Sequence, residues 1–413
     1  MTHHTPLSLE EACQKAVTQT SPKCEHELIT LTDALGRILA KPVIATKDLP
    51  AFDNSAMDGF AFKAEDAGKR LKVARTIFAG DIPTAILNDK ECYRIMTGAQ
   101  IPHDVDTVAP IETCHDVTPQ EVTLPKEIAK GSNFRKKGEE LKAGSSMIPA
   151  GEILTAADIA LLSAQGIMAV EVVVQPRIAI VSTGNEIKEP WELASEDEIY
   201  NANAFGISAL LKSFGFEPTY IGAIPDDLEA TKRFIAKLTT FDAVITTGGI
   251  SMGDADFLYE AFLSNGLDVW FHGVNLKPGK GVTFGQMGNT LVMAMPGNPM
   301  ATMLTVHALC IPALYKLAGA SKPYHTFVYA EFAHDLRLKN GRTNMVIGTL
   351  ESGVFIPTRN NKIGSGMLTP LRESNAVAYL GEEISLIERE DLIKVILFND
   401  TTRTIDDRTV NHR

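Results

Sequence analysis

Between about Pro176 and Lys322, short apolar runs alternate with segments of helical spacing, and no other feature limits the fold as much. Arg177 to Ser182 (RIAIVS), Thr219 to Ile224 and Phe241 to Thr246 (FDAVIT) read as strands. Leu267 to Trp270, Gly281 to Phe284 and Thr290 to Ala294 read as further strands. Between them, Ala204 to Phe214, Asp227 to Leu238 and Phe257 to Leu263 carry helical periodicity, and Met300 to Leu317 closes the segment as one long apolar helix. Strands that alternate with helices build βαβ units, so this stretch predicts a doubly wound α/β domain on a mostly parallel sheet.

The flanks have a different grammar. The chain has 413 residues, too many for one core at roughly 100–200 residues per domain. We divide it at 1–175, 176–322 and 323–413. Ser8 and Glu11 predict a capping box ahead of a first helix. Thr30 and Asp33 predict a second helix towards Ala40, ended by Pro42. From about 51 to 144, Gly- and Pro-punctuated short β runs such as Arg70 to Ala74 and Tyr93 to Met96 predict a β subdomain inserted into a helical layer. That layer resumes at Thr155 to Gln165. Beyond Lys322, the runs Phe327 to Phe332, Met345 to Leu350, Gly353 to Pro357, Ala376 to Leu380, Glu383 to Leu386 and Arg389 to Phe398 predict a small β domain. The last fifteen residues are polar and are expected to be loose.

A formal net charge of −12 argues against a nucleic-acid binder, which usually shows a basic face. No apolar run reaches the roughly 18 residues of a membrane-spanning helix. The N-terminus has no secretory pattern. The five cysteines are scattered and form no CxxC, which fits a reducing cytoplasm.

The chemistry gathers where the predicted strands end. The first runs into Ser182-Thr183-Gly184-Asn185-Glu186, the second into Pro225-Asp226-Asp227, and the third into Thr247-Gly248-Gly249-Ile250-Ser251-Met252-Gly253-Asp254-Ala255-Asp256. Ligands of doubly wound sheets bind beyond the carboxyl ends of the strands. Carboxylates from three strands meeting there need a cation, and Mg²⁺ that also touches phosphate is the natural choice. Asp226 as a plain helix cap and Glu186 as a solvated loop residue are the bland readings. The Gly-rich turn Thr247 to Gly253 offers backbone amides to a phosphate. Lys277-Pro278-Gly279-Lys280 sets two cations on one turn, suited to an oxyanion. Met295-Pro296-Gly297-Asn298-Pro299 fixes a turn before the last helix, for which rigidity is the simpler explanation. The loops Phe52 to Phe60, containing Asp58, and Met96 to Pro102, containing Thr97, are dense in polar groups. Arg342 and Gly364-Ser365-Gly366 are weaker candidate anion donors.

In this order, the runs FDNSAMDGFA, IMTGAQIP, GEEL, STGNE, NANAFGISALL, PDD, TTGGISMGDADF, LKPGK and MPGNP resemble the molybdopterin molybdenumtransferase family, known as MoeA in bacteria and as the E domain of gephyrin in animals. The resemblance spans about three quarters of the chain. It implies an elongated chain with a MogA/MoaB-like doubly wound α/β domain, an N-terminal helical layer with its inserted β subdomain, and a small C-terminal β-barrel. It implies a cytoplasmic homodimer with a shared active site, working beside an adenylyltransferase and partners in molybdoenzyme assembly. The implied reaction is Mg²⁺-dependent cleavage of molybdopterin adenylate, with transfer of molybdate to the dithiolene and release of AMP.

Carried over by position, Glu186, Asp226 and Asp256 match the family's acidic, metal-binding residues, and Lys277 and Lys280 join them in the catalytic set. Gly248, Gly249, Ser251 and Asp254 fall in the nucleotide loop, and Pro296, Gly297 and Asn298 in the following turn. Lys277, Lys280, Arg342 and Ser365 match positions of substrate or molybdate contact, and Asp58 and Thr97 match the N-terminal contributors. The chain departs from the pattern at Asn185, Glu140, Gly281 and Ala301. Gly273 and Ile347 replace frequent basic residues, which implies fewer anion contacts. The adenylyltransferase relatives, and a scaffold that presents its β domains to a partner, are the competing readings.

Overall fold

The computed structural model describes residues 6–84, 86–184, 186–224, 227–248 and 257–398. The chain forms two compact units: residues 41–150 with 155–170, and residues 1–40, 151–154 and 171–413. The polar tail from 399 on lies outside the described residues.

The first helix, α1 (Leu9–Gln19), begins as its sequence dictates. Glu11 donates its amide to the Ser8 hydroxyl at 3.2 Å, and its carboxylate accepts the Ser8 amide at 2.9 Å. These reciprocal bonds satisfy two donors that a helix start leaves open. The helix expected from Thr30 to Ala40 does not form. A single 3₁₀ turn, Leu31–Asp33, takes its place, with Thr30 Oγ1 bonded to the Asp33 carboxylate at 2.9 Å. Ile38 and Leu39 then bridge to Ile153 and Val172. The Leu39 amide donates to the Glu152 carbonyl at 3.0 Å, and the Leu39 carbonyl accepts from Gly151 at 2.7 Å. These non-local backbone bonds outweigh the local cap signal.

The smaller unit is built on β1 (Gly59–Phe62), β2 (Arg70–Ile77), β3 (Glu91–Ile95), β4 (Thr107–Pro110) and β5 (Glu121–Thr123), in the order β4-β1-β3-β2-β5. Strand β1 is buried along its length and feeds two cores by alternation. Phe60 and Phe62 join Leu71 and Cys92, while Ala61 joins Tyr93, Ile95 and Ile77. A Cβ at Gly59 would overlap the Ala109 carbonyl oxygen, so the β1–β4 approach requires glycine. Helix α2 (Ala156–Ala164) opens on the Thr155–Asp158 capping box. After it, Gln165 Oε1 accepts the amides of Thr46 and Lys47 at 2.8 and 3.0 Å.

The larger unit contains β6 (Ile178–Ser182), α3 (Ala202–Ser213), β7 (Pro218–Ala223), α4 (Leu228–Leu238), β8 (Ala243–Thr247), α5 (Phe257–Ser264), β9 (Leu267–His272), β10 (Thr283–Met287), β11 (Thr290–Met295), α6 (Pro299–Thr305) and α7 (Ile311–Leu317). The sheet order is β7-β6-β8-β11-β10-β9. The first four strands are parallel, as the βαβ pattern predicts. The β9–β10 and β10–β11 pairings are antiparallel. Only Gly288-Asn289 separates β10 from β11. A two-residue link closes a hairpin and cannot cross over to a parallel strand.

Alternate residues of the parallel strands pack on opposite faces. Ile178, Ile180, Ala243 and Ile245 meet α3 and the closing helix, whereas Ala179, Val181 and Val244 meet α4 and α5. The closing helix continues from α6 to α7 through a π-helical segment, Val306–Cys310. At 19 residues, Pro299–Leu317 is long and apolar enough to cross a membrane, contrary to the reading that no run is. Its apolar stretch is 83% buried within the unit, where it serves as a core helix.

A closed five-stranded barrel follows, from β12 (Val328–Phe332), β13 (Thr343–Glu351), β14 (Val354–Pro357), β15 (Ala376–Leu380) and β16 (Leu392–Leu397). Its order is β13-β14-β12-β16-β15, closed by β15 on β13. Val346 points into the barrel core with Phe332, Phe355 and Val395. Met345, Ile347 and Val377 instead join the core of the α/β domain. The site at 347 is therefore an apolar interior, with Ile347 0% exposed. Leu276–Lys277 pairs in parallel with Thr343–Asn344.

Candidate active site

Backbone pairing brings the strand ends into one line. Ser182 lies opposite Ala223 and Thr247, and Thr247 lies opposite Met295. His272 pairs with Thr283, which pairs with Ala294, so the 273–282 connection leaves and re-enters at that same edge. Five loops thus emerge together, carrying Glu186, the chain after Ile224, Gly248, Pro296 to Asn298, and Lys277 with Lys280. Asp226, Gly249, Ser251, Asp254 and Asp256 lie outside the described residues.

The loops are tied together beneath these residues. Thr183 donates its amide and hydroxyl to the Thr247 carbonyl at 3.2 and 2.9 Å. Gly248 donates its amide to the Met295 carbonyl at 3.0 Å. That amide is therefore committed to the fold and not free to cradle a phosphate, as the Gly-rich turn had suggested. A Cβ on Gly248 would sit 2.8 Å from Thr183 Oγ1, and one on Gly297 would sit 3.6 Å from the Gly248 Cα. Two glycine backbones thus meet at the floor of the edge.

The turn before α6 is held from three sides. Asn203 Nδ2 donates to the Gly297 carbonyl at 2.8 Å. Thr302 Oγ1 donates to the carbonyls of Pro296 and Asn298. The Ser365 carbonyl accepts from the Met300 amide at 3.0 Å and from Ala301 at 3.4 Å. Those two amides are spent on the fold, and the bonds bring the Ser365 backbone to this turn.

The KPGK turn sits between α6 and the barrel. A Cβ on Gly279 would overlap Thr305 Cγ2 and lie 3.6 Å from Met345 Cε. Lys277 pairs with Asn344, and Arg342 stands one residue before the Leu276–Thr343 pair. Lys277 and Lys280 are exposed and Arg342 half-buried. None of the three forms an ion pair with a described residue. Gly273, which stands where a basic residue is frequent in the family, is buried with φ +79°. That left-handed backbone favours glycine over any side chain.

Glu186 is exposed, with its carboxylate turned back so that a Gly184 Cβ would lie 2.8 Å from Oε2. Among the described residues no three His, Cys, Asp or Glu side chains converge to hold a metal ion. Of the expected acidic set, only Glu186 falls within them. A hard carboxylate oxygen at this edge fits Mg²⁺.

In the smaller unit, Asp58 Oδ1 accepts both the amide and the hydroxyl of Thr97 at 2.7 Å. These bonds, the amide first, hold the Asp58 carboxyl below the usual carboxylate range. The surrounding loops are laced by Ser55 to Ala99, Gly98 to Ser55 and Ile101 to Asp53 backbone bonds.

Sequence reasoning missed two groups. Asn203, on the first turn of α3, and Thr247, at the end of β8, are 8% and 1% exposed. Their signal was a polar pair closing an apolar strand and the NAN run. Beside them Asn201 Nδ2 donates to Ser182 Oγ and Tyr220 Oη, both at 2.9 Å. Tyr220 also bonds Glu189, and burial, then Glu189, pushes its phenol up to about 12.

Comparison with known proteins gives a concordant result. Residues 7–166 match the family described as MoeA N-terminal region (domain I and II), and residues 179–316 match the probable molybdopterin binding domain. The molybdopterin molybdenumtransferase of Haemophilus influenzae is 32% identical over 402 residues, covering 95% of this chain and 99% of that protein. The same-named protein of Staphylococcus aureus strain COL is 30% identical over 387 residues, covering 91% of each. The crystal structure of the molybdopterin biosynthesis moeA protein from Pyrococcus horikoshii OT3 superposes with a TM-score of 0.82. It is 27% identical and covers 95% of this chain and 100% of that one.

Proposed function

This chain is a transferase of the molybdopterin molybdenumtransferase family, acting in molybdenum cofactor biosynthesis, and we propose that it inserts molybdate into adenylated molybdopterin with Mg²⁺-dependent release of AMP. The observation that carries the reading is the common carboxyl edge, where Glu186, the Gly248–Gly297 floor and the KPGK turn emerge in register.

Lys277, Lys280 and Arg342, free of ion pairs with described residues, attract phosphate and molybdate oxygens. The Ser365 carbonyl fixes the turn at Pro296 to Asn298, so that the donors of the edge keep their places. From the family resemblance we assign Asp58 and Thr97, joined to each other by two bonds of 2.7 Å, to substrate contact. Glu186, Asp226 and Asp256 would hold Mg²⁺, which when bound would supply charge neutralisation at the phosphates and Lewis acidity towards the phosphoanhydride. We extend the reading to a cytoplasmic homodimer with a shared active site, which receives its substrate from an adenylyltransferase and serves molybdoenzyme assembly. Sedimentation of the purified protein tests the dimer.

The activity test combines purified protein, molybdopterin adenylate, Mg²⁺ and molybdate, and follows AMP and active cofactor. Production of both supports the proposal, and absence of both overturns it. Formation of adenylate and pyrophosphate from molybdopterin and Mg-ATP would assign adenylyltransferase activity instead.

A further inference from the structure

On one side of the carboxyl edge, two buried polar atoms have no hydrogen-bond partner among the described residues: Thr247 Oγ1 and Asn203 Oδ1. Unpartnered buried polar atoms are rare because burial strips their water without replacing it. The two residues share one side of the sheet. Along β8, Ala243 and Ile245 pack on the α3 face and Val244 on the other, so the two-residue period puts Thr247 on the α3 face. Asn203 lies in α3, whose next residues Ala204 and Ile207 pack on that face. Its Nδ2 grips the Gly297 carbonyl, and Gly297 abuts Gly248, the residue after Thr247. The reverse amide orientation would set Oδ1 against the Gly297 oxygen, so it is the acceptor of Asn203 that stays open.

We propose that Thr247 Oγ1 and Asn203 Oδ1 are direct contacts for a nitrogen heterocycle of the substrate. Asn203 Oδ1 takes an N–H of the ring or its amino group, and the Thr247 hydroxyl supplies the neighbouring donor or acceptor. Both atoms are buried, neutral and at one edge, which suits a planar amino-heterocycle better than a phosphate. This rests on the molybdenumtransferase reading, whose substrate carries two such rings, adenine and pterin.

The test is calorimetric titration of full-length protein with AMP and, separately, with metal-free molybdopterin. Thr247→Val removes a hydroxyl that bonds no described residue, so melting should occur no earlier than in wild type. Affinity for one of the two probes should fall roughly 5- to 50-fold. Thr247→Ser should restore it. Asn203→Leu should weaken the same probe, with some loss of melting temperature because the Gly297 carbonyl loses its donor. Thr246 also carries a buried hydroxyl with no partner among the described residues, but on the opposite face, so Thr246→Val should leave both affinities unchanged. Loss confined to AMP places adenine at this contact, and loss confined to molybdopterin places the pterin there. Wild-type affinity for both probes in Thr247→Val and Asn203→Leu, alongside normal AMP release, overturns the inference and leaves the functional reading standing. A wild-type protein that binds neither probe and releases no AMP overturns both.

Discussion

Thr97 donates its backbone amide and its hydroxyl to one carboxylate oxygen of Asp58, each at 2.7 Å and across 39 positions of sequence. The pair joins the two polar loops that stand out in the N-terminal sequence. Charge-assisted bonds of this length favour the ionised carboxylate, which is why the group titrates low.

Asp58→Ala should therefore loosen the 96–102 loop before it affects the sheet. Amide exchange at Thr97 should rise sharply in the Ala variant, and less in Asp58→Asn, which keeps an acceptor. The pH dependence has a fixed sign. The folded carboxyl titrates below the unfolded value of about 3.9, so its contribution is complete above that value and is lost as pH falls through the lower folded one. Equal Thr97 exchange in wild type and Asp58→Ala at pH 6 would sink the claim.

Two glycines of the KPGK segment should behave in opposite ways. Gly279 has φ +107°, and any Cβ there overlaps Thr305. Gly281 has no heavy atom within 4 Å of a built Cβ and no positive φ. Gly279→Ala should cost roughly 1–3 kcal/mol and displace Lys277 and Lys280, so that activity drops beyond what melting explains. Gly281→Ala should stay within about 0.5 kcal/mol of wild type. Denaturant midpoints and AMP release on both variants decide this, and equal behaviour would refute it.

The α/β order was legible because buried strands and amphipathic helices write different periods into sequence. The capping boxes at Ser8 and Thr155 were legible because they are local. The antiparallel edge formed by β9 and β10 was not predicted, since an apolar run does not state its direction. The second helix failed because Leu39 finds partners more than a hundred residues away, at Glu152 and Gly151. At the site, charged residues announced themselves, while Asn203 and Thr247 did not. Neutral side chains become informative only when burial and missing partners are known.

Lys277→Met should separate binding from stability. Lys277 is exposed and makes no ion pair with a described residue, so the melting midpoint should move by no more than about 0.5 kcal/mol. AMP release should fall roughly tenfold or more, since one decade corresponds to about 1.36 kcal/mol of barrier. Asp256→Asn should show the same split in the Mg²⁺-dependent rate. A Lys277→Met enzyme with normal turnover would return that lysine to the solvated surface.

A pH response of stability should come from the His307–His325 stack. The rings lie 4.2 Å apart and nearly parallel, with Phe214 edge-on to both and Phe398 edge-on to His307. His307 Nδ1 bonds Tyr379 Oη at 2.9 Å, and His325 Nε2 bonds the His307 carbonyl at 2.6 Å. Burial lowers the His307 pKa well below the ordinary imidazole value, and His325 adds to the effect. Burial lowers His325 as well. The other titratable group in contact, the Tyr379 phenol, is pushed up by burial and then by Cys13, so it stays neutral through this range. Both imidazoles thus take up protons at lower pH in the fold than in the unfolded chain, which does so near pH 6.5. Stability from these groups is complete above about pH 6.5 and is lost as pH falls below it, because the unfolded state binds more protons. The urea midpoint of the wild type should therefore fall between pH 7 and pH 5.5. His307→Leu should be less stable at pH 7, yet its urea midpoint should change less between those two pH values than that of wild type. Parallel pH profiles for the two proteins would remove His307 from the account.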